Sequence, residues 1–223
     1  MNACVKSAFF VAGLLVTSTA SAQETASGSW FQPEPWPKVS DYVSQPALAS
    51  TAYRDSVQVA RCLHSDGLES NWSDGPLSDD PEYKSLSAAL SSRNGICARR
   101  SGSANLTMVS SALAEFRLKD MSLSLADRAT SVDEDVAQAF FSPAQGSVTM
   151  AHVGRCLAVH SPGLTQQVLE SRPGSTAEDA AMAELYGATP ECGVASAPEG
   201  IATAYQRVAL AHGLYVWTVL NSY

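Results

Sequence analysis

Apolar positions along this chain recur mostly at three- and four-residue spacing, the period of helices with one buried face, and strict alternation is scarce. Tyr53, Val57, Ala60 and Leu63 form one stripe over about residues 52–64, and Val153, Cys156, Leu157 and Val159 supply another over about 147–160. Behind Ser161-Pro162, where serine can cap and proline suits the first turn, Leu164, Val168 and Leu169 point to a short helix. Ser175-Thr176-Ala177-Glu178 reads as a capping box after Pro173-Gly174 and opens a helix to about Tyr186. In the first half, Asp79 and Pro81-Glu82 open the equivalent helix, with Tyr83, Leu86 and Leu90. Residues 65–80 before it are richer in Gly, Ser and Asp and read as loop. Two long helices carry the stripes Leu106, Val109, Leu113, Phe116 and Ile201, Tyr205, Val208, His212. A second capping box, Ser131 to Glu134, starts a helix to about Phe141, and Pro143 ends it because the residue before a proline disfavours helix. The expected fold class is all-α.

The N-terminal stretch departs from this pattern. Lys6, the apolar run Ala8–Val16 and the small residues Ala20-Ser21-Ala22 follow the order of a cleavable secretory signal. The run of nine is far short of the roughly 20 residues that span a bilayer. The expectation is therefore export to the periplasm or medium, cleavage after about Ala22, and no transmembrane anchor. Residues 23–47 follow as an extended arm, since the prolines of the Trp30–Pro37 stretch lack the amide donors of helix or central strand. Its aromatic residues Trp30, Phe31 and Trp36 suit either a strap over the protein's own core or a partner's groove.

Cysteine spacing organises the remainder. Cys62 and Cys97 are 35 positions apart, and Cys156 and Cys192 are 36 apart. The flanks agree: Arg61-Cys62-Leu63 answers Arg155-Cys156-Leu157, and Leu90 and Leu185 each stand seven residues before the second cysteine. Ala112-Leu113-Ala114-Glu115 answers Ala209-Leu210-Ala211-His212. Self-similarity at one spacing is the mark of a duplicated unit. The expected organisation is a helical unit over 48–119, a connector with one helix over 120–146 and a second unit over 147–223, packed as one pseudo-repeated domain. An even cysteine count in an exported chain reads as a disulfide framework. Closure within each copy is the simplest of the three possible pairings, and sequence alone leaves the other two open. Each such closure is worth about 3–4 kcal/mol in the chain-entropy account.

The order Arg-Cys-Leu, Pro-Gly-Ser with a following Glu, a second Cys, Ala-Leu-Ala and a late Tyr is fullest in Arg155–Leu157, Pro173–Ser175, Glu178, Cys192, Ala209–Ala211 and Tyr215. It resembles a two-copy, cysteine-paired pattern of exported helical proteins from Gram-negative bacteria, alphaproteobacteria among them. The first copy keeps Arg61–Leu63, Cys97 and Ala112–Ala114 but lacks Pro-Gly-Ser. The resemblance implies a periplasmic home and no particular activity.

Charge and candidate chemistry narrow the functional classes. The formal charge is −8, and −9 once Lys6 leaves with the signal, with basic residues dispersed apart from Arg99-Arg100. Such a surface argues against nucleic acid or anionic lipid as the main partner. No C-x-x-C, H-x-x-x-H or H-E-x-x-H pattern brings metal ligands together. His152 and His160 share a helix face about 12 Å apart, too far for one ion to bridge. G-x-S-x-G is absent, and Gly174-Ser175 is accounted for by helix capping. Asp127 or Glu134 could serve in a carboxylate pair, although acidic residues at helix starts already suit the dipole. Ser73 to Asp80 lacks the ligand alternation of a calcium loop. The triplets at Asn71 and Asn105 matter only in a eukaryotic secretory pathway. Arg61 and Arg155, at equivalent positions, suit either anion contacts or bonds internal to each unit.

No cofactor, metal or catalytic residue is therefore expected. The reading that remains is a non-catalytic binding module of the cell envelope, whose partner is another protein or an envelope component. Possible partner-binding residues are Trp30, Phe31, Trp36, Arg61 and Arg155. The alternative is a small periplasmic enzyme, such as a hydrolase, with its site between the two units and histidines and carboxylates converging there.

Overall fold

The computed structural model describes residues 45–65, 86, 90, 97, 103–143 and 148–221. These are all-helical, with seven α-helices and no strand among the described residues. They are α1 (Pro46–Ser65), α2 (Leu106–Asp120), α3 (Glu134–Phe141), α4 (Met150–His160), α5 (Pro162–Glu170), α6 (Thr176–Ala188) and α7 (Thr203–Asn221), with a 3-10 turn at Pro190–Cys192.

Local chemistry sets most boundaries. Helix α1 begins at Pro46, so the last two residues assigned to the extended arm are helical. Proline fits a first turn, and the Gln45 carbonyl accepts the Ala49 amide. Asn105 caps α2 by accepting the Thr107 and Met108 amides, and it is fully buried, which rules out a sugar at that triplet. The box expected at Ser131 is replaced by Asp133, which caps α3 one residue before Glu134. Ser175 accepts the Glu178 amide as expected, but the Glu178 carboxylate takes the Gly174 amide at 2.6 Å. Gly174 has φ +75°, a backbone state that suits glycine in this tight corner.

Helix α7 is the hub. It packs on α1, α2, α4 and α5, and residues 206–218 are buried without interruption, so burial runs round the whole helix rather than along one stripe. The largest apolar cluster gathers Leu118, Leu157, Val168, Leu185, Tyr186 and Leu210 from five helices. A second joins Leu63 of α1 and Leu113 of α2 to Leu86, Leu90 and Cys97. A third ties Tyr53 and Met108 to Ala204 and Val208. Helix α3 seats Ala137 and Phe140 against Val159 and Trp217, so the connector is packed into the body.

The disulfides join Cys62 to Cys97 and Cys156 to Cys192, each with Cα atoms 5.7 Å apart. The second fastens α4 to the turn after α6. Helices α4 and α7 approach closely enough that a Cβ on Gly154 would lie 2.6 Å from the Ala209 carbonyl, and one on Gly213 would lie 2.8 Å from the Gly154 oxygen. Both obstacles are backbone, so neither can swing aside.

Gly154→Ala tests this crossing. Alanine should gain about 1 kcal/mol of helix propensity, but forced separation of two packed helices costs about 1–3 kcal/mol. Net destabilisation in urea unfolding is expected, and a stabilised variant would refute the close approach.

Candidate functional site

The most concentrated chemistry lies in the interior. Arg207 of α7 is 1% exposed, and its guanidinium forms a two-pronged pair with Glu115 of α2, Nε to Oε1 at 2.6 Å and Nη2 to Oε2 at 2.9 Å. Nη1 donates to Glu178 of α6 at 2.9 Å. The remaining acceptors are the carbonyls of Val168, Leu169 and Ser171, at the C-terminal end of α5. Tyr53 of α1 donates to Glu115 at 2.5 Å and lies 3.0 Å from the Ser111 hydroxyl, while the guanidinium lies 5.4 Å from its ring centre.

Two helix ends meet at this cluster. The carbonyl-rich end of α5 faces the cation, and the amide-rich start of α6 holds Glu178, each the favourable sense for a helix dipole. Burial alone would lower the Arg207 pKa, but Glu115 above all outweighs it and raises it. Burial, then the Glu115 charge, pushes the Tyr53 hydroxyl well above its ordinary range. The chemistry available here is cohesion: every polar group is matched inside the fold, which suits structure better than turnover.

His64 and His212 occupy separate surroundings, whereas His152 and His160 both lie near Glu191. His64 stacks on Phe116 and lies 3.4 Å from Asp120. His152 accepts the Thr149 amide at the start of α4. His160 lies 3.9 Å from Glu191, which also pairs with Arg128. His212 is buried, with Nε2 at 3.1 Å from the Ser110 hydroxyl. Burial, aided by the Arg155 charge, holds its pKa down at about 3. Asp127 accepts the Gln167 amide, and Glu134 lies exposed in the first turn of α3. Among the described residues no group of histidine, cysteine and carboxylate side chains could hold a metal ion.

The equivalent arginines also part company. Arg61 is exposed and, among the described residues, reaches the Gln58 side chain of its own helix at 3.5 Å. Arg155 donates to the Phe140 carbonyl at 3.2 Å and lies 5.2 Å from that ring. Trp30, Phe31, Trp36 and the Ser73–Asp80 stretch lie outside the described residues.

Surface hollows also flank α4. One, of about 160 Å³, runs between α4 and α7, with Met150, Ala151 and Arg155 on one side and a stretch from Tyr205 to Val216 on the other. The second, about 150 Å³, lies beside the Cys156–Cys192 disulfide, between His152, Val148 and Glu191. Sequence reading missed the Arg207 cluster. Its signal was a charge inside α7, most of whose residues are apolar.

Arg207→Met should destabilise the fold by about 3–5 kcal/mol, because it strands buried carboxylates. Adding Glu115→Leu and Glu178→Gln should recover most of that loss in chemical denaturation. The His212 sign follows from its lowered pKa: below about 6.5 the unfolded chain binds a proton that the buried ring refuses. Its contribution is intact above pH 6.5 and is lost as pH falls towards 3, at a limiting slope of about 1.4 kcal/mol per unit. The stability gap between wild type and His212→Gln should therefore change in favour of the variant from pH 7 to pH 4. A gap that does not vary with pH would contradict a neutral buried ring.

Comparison with protein-family models, with curated proteins and with solved structures finds no match for this chain.

Proposed function

We propose that this is an exported, disulfide-stapled binding module of the cell envelope, with no catalytic role, built from two copies of one helical unit. The observation that carries the reading is where its reactive groups sit. The strongest charges are spent on one another in the interior around Arg207, and His64 and His212 stand apart, while His152 and His160 lie near Glu191 at the second hollow. What α4 and α7 offer outward is an apolar hollow. Binding by shape and burial suits that distribution, whereas hydrolysis would need acid, base and nucleophile to converge.

A crosswise pairing supports duplication. Residues 110 and 207 are separated by 97 positions, and so are 115 and 212, the register of the matching Ala-Leu-Ala segments. Ser110 contacts His212 while Glu115 contacts Arg207, so exchanging the copies maps one contact onto the other. This is the pattern of a two-fold interface. The small pairs agree: Ala60 and Ala112 are buried where the second copy has Gly154 and Ala209. Export rests on the Lys6–Ala22 signal pattern, with cleavage after about Ala22, and the two disulfides suit an oxidising compartment. No described helix is long and apolar enough to cross a membrane.

The test is photo-cross-linking in the native envelope, with the reactive group at exposed Ala151 beside the hollow and, as control, at exposed Glu134. A dominant adduct specific to Ala151, identified by mass spectrometry, is the expected result. Equal labelling from both positions, or none, would remove the binding reading.

A further inference from the structure

The N-terminal arm joins the body at Gln45, four residues ahead of Ala49, or about 6 Å of helix. The first half of α1 and the first turns of α7 share one apolar cluster, in which Ala49, Ala52 and Tyr53 sit with Ala204, Tyr205 and Val208. Tyr205 and Val208 also line the hollow between α4 and α7, which continues to Val216, about 16 Å along the helix. The apolar surface under the start of α1 therefore runs on into the hollow. A volume of about 160 Å³ is close to that of a cavity of about 150 Å³ that admits benzene. One aromatic ring suits it.

The arm carries such a ring within reach. Trp36 stands nine positions before Gln45, between Pro35 and Pro37. In the polyproline form nine residues extend about 28 Å at 3.1 Å each, more than separates the start of α1 from the far end of the hollow. Proline already restricts the backbone, so seating this segment costs less ordering than seating an unrestricted chain. A short tether also holds the ring at a local concentration on the order of 1 mM. A contact too weak to hold two separate molecules together is then sufficient within one chain. The arm of a second copy lacks that advantage, because it must offset the full cost of association.

We propose that Trp36 of the chain's own arm seats in the hollow between α4 and α7, so that the binding surface is self-covered and a partner gains it by displacing the arm. The assignment rests on the binding-module reading and supplies its regulation. Arm and partner exclude each other beside Ala151, Val208 and Ala209. Removing Trp36 therefore strengthens partner capture while leaving the walls of the hollow unchanged.

Amide NMR on the chain from Gln23 onward, on its Trp36→Ala variant and on a shortened chain beginning at Ser40 tests the docking. Both changes should shift Ala151, Val208 and Ala209 alike, with the signals of α5 and α6 left in place. A peptide of residues 28–40 added to the shortened chain should restore the original shifts with a Kd of about 1 mM or tighter, the local concentration it must match. Unmoved shifts, a Kd weaker than about 10 mM, or equal restoration by a peptide carrying Trp36→Ala would each overturn the docking. Photo-cross-linking from exposed Ala151 in a mixture of isotopically light and heavy chains should join the arm to its own chain. Adducts of mixed mass would assign the hollow to a neighbour's arm and overturn it too. In the native envelope, Trp36→Ala should raise partner capture from Ala151 at least about twofold, since the arm covers half or more of the hollows. Equal capture from both chains would sink the arm's role and leave the binding module standing, whereas docking with no capture from either chain would do the reverse.

Discussion

The buried guanidinium of Arg207 is the constraint on which the arrangement depends. An arginine keeps its proton at any pH the protein meets, so this charge cannot be discharged to ease its burial. It must be matched in place, and α2, α5 and α6 each bring acceptors to it, while α1 supplies the Tyr53 ring. Four helices are thereby fixed relative to α7 by directional bonds. Apolar contact would fix them only by volume, and cores tolerate many repackings of similar volume. A polar cluster of this kind narrows those alternatives.

The same cluster explains the arrangement of α5 and α6. Glu178 is at once a capping partner for Gly174 and a counterion for Arg207. The Pro173–Glu178 corner is therefore tied to the interior, although it faces outward. The first half of the chain lacks Pro-Gly-Ser, and Ser110 stands where the second half has Arg207. In the crosswise contact a neutral serine–histidine pair answers the charged one.

Much of the local structure was legible because its causes are local. Ser175 and Pro162 announce helix starts through their own backbone chemistry, and helical spacing betrays buried residues such as Leu63, Leu113 and Val168. Where two local signals competed, sequence chose wrongly: Asp133 displaced Ser131 as the cap of α3, and Pro46 began α1 before its apolar stripe does. The Arg207–Glu115 pair was illegible for a different reason. Its members are 92 residues apart, and each looks like an ordinary charge on a helix until packing makes them meet. Likewise the hollow beside Arg155 depends on side chains from two helices, with Ala209 and Gly213 leaving the room. Neither helix announces it alone.

The order in which a ribosome delivers these groups has a consequence for when folding can finish. Tyr53, Glu115 and Glu178 all emerge ahead of Arg207, and α7 carries the surfaces that α1, α2, α4 and α5 cover. Until that last helix arrives, a nascent chain holds two acids without their base and four amphipathic helices without a common floor. The core around Arg207 thus closes only once α7 has emerged.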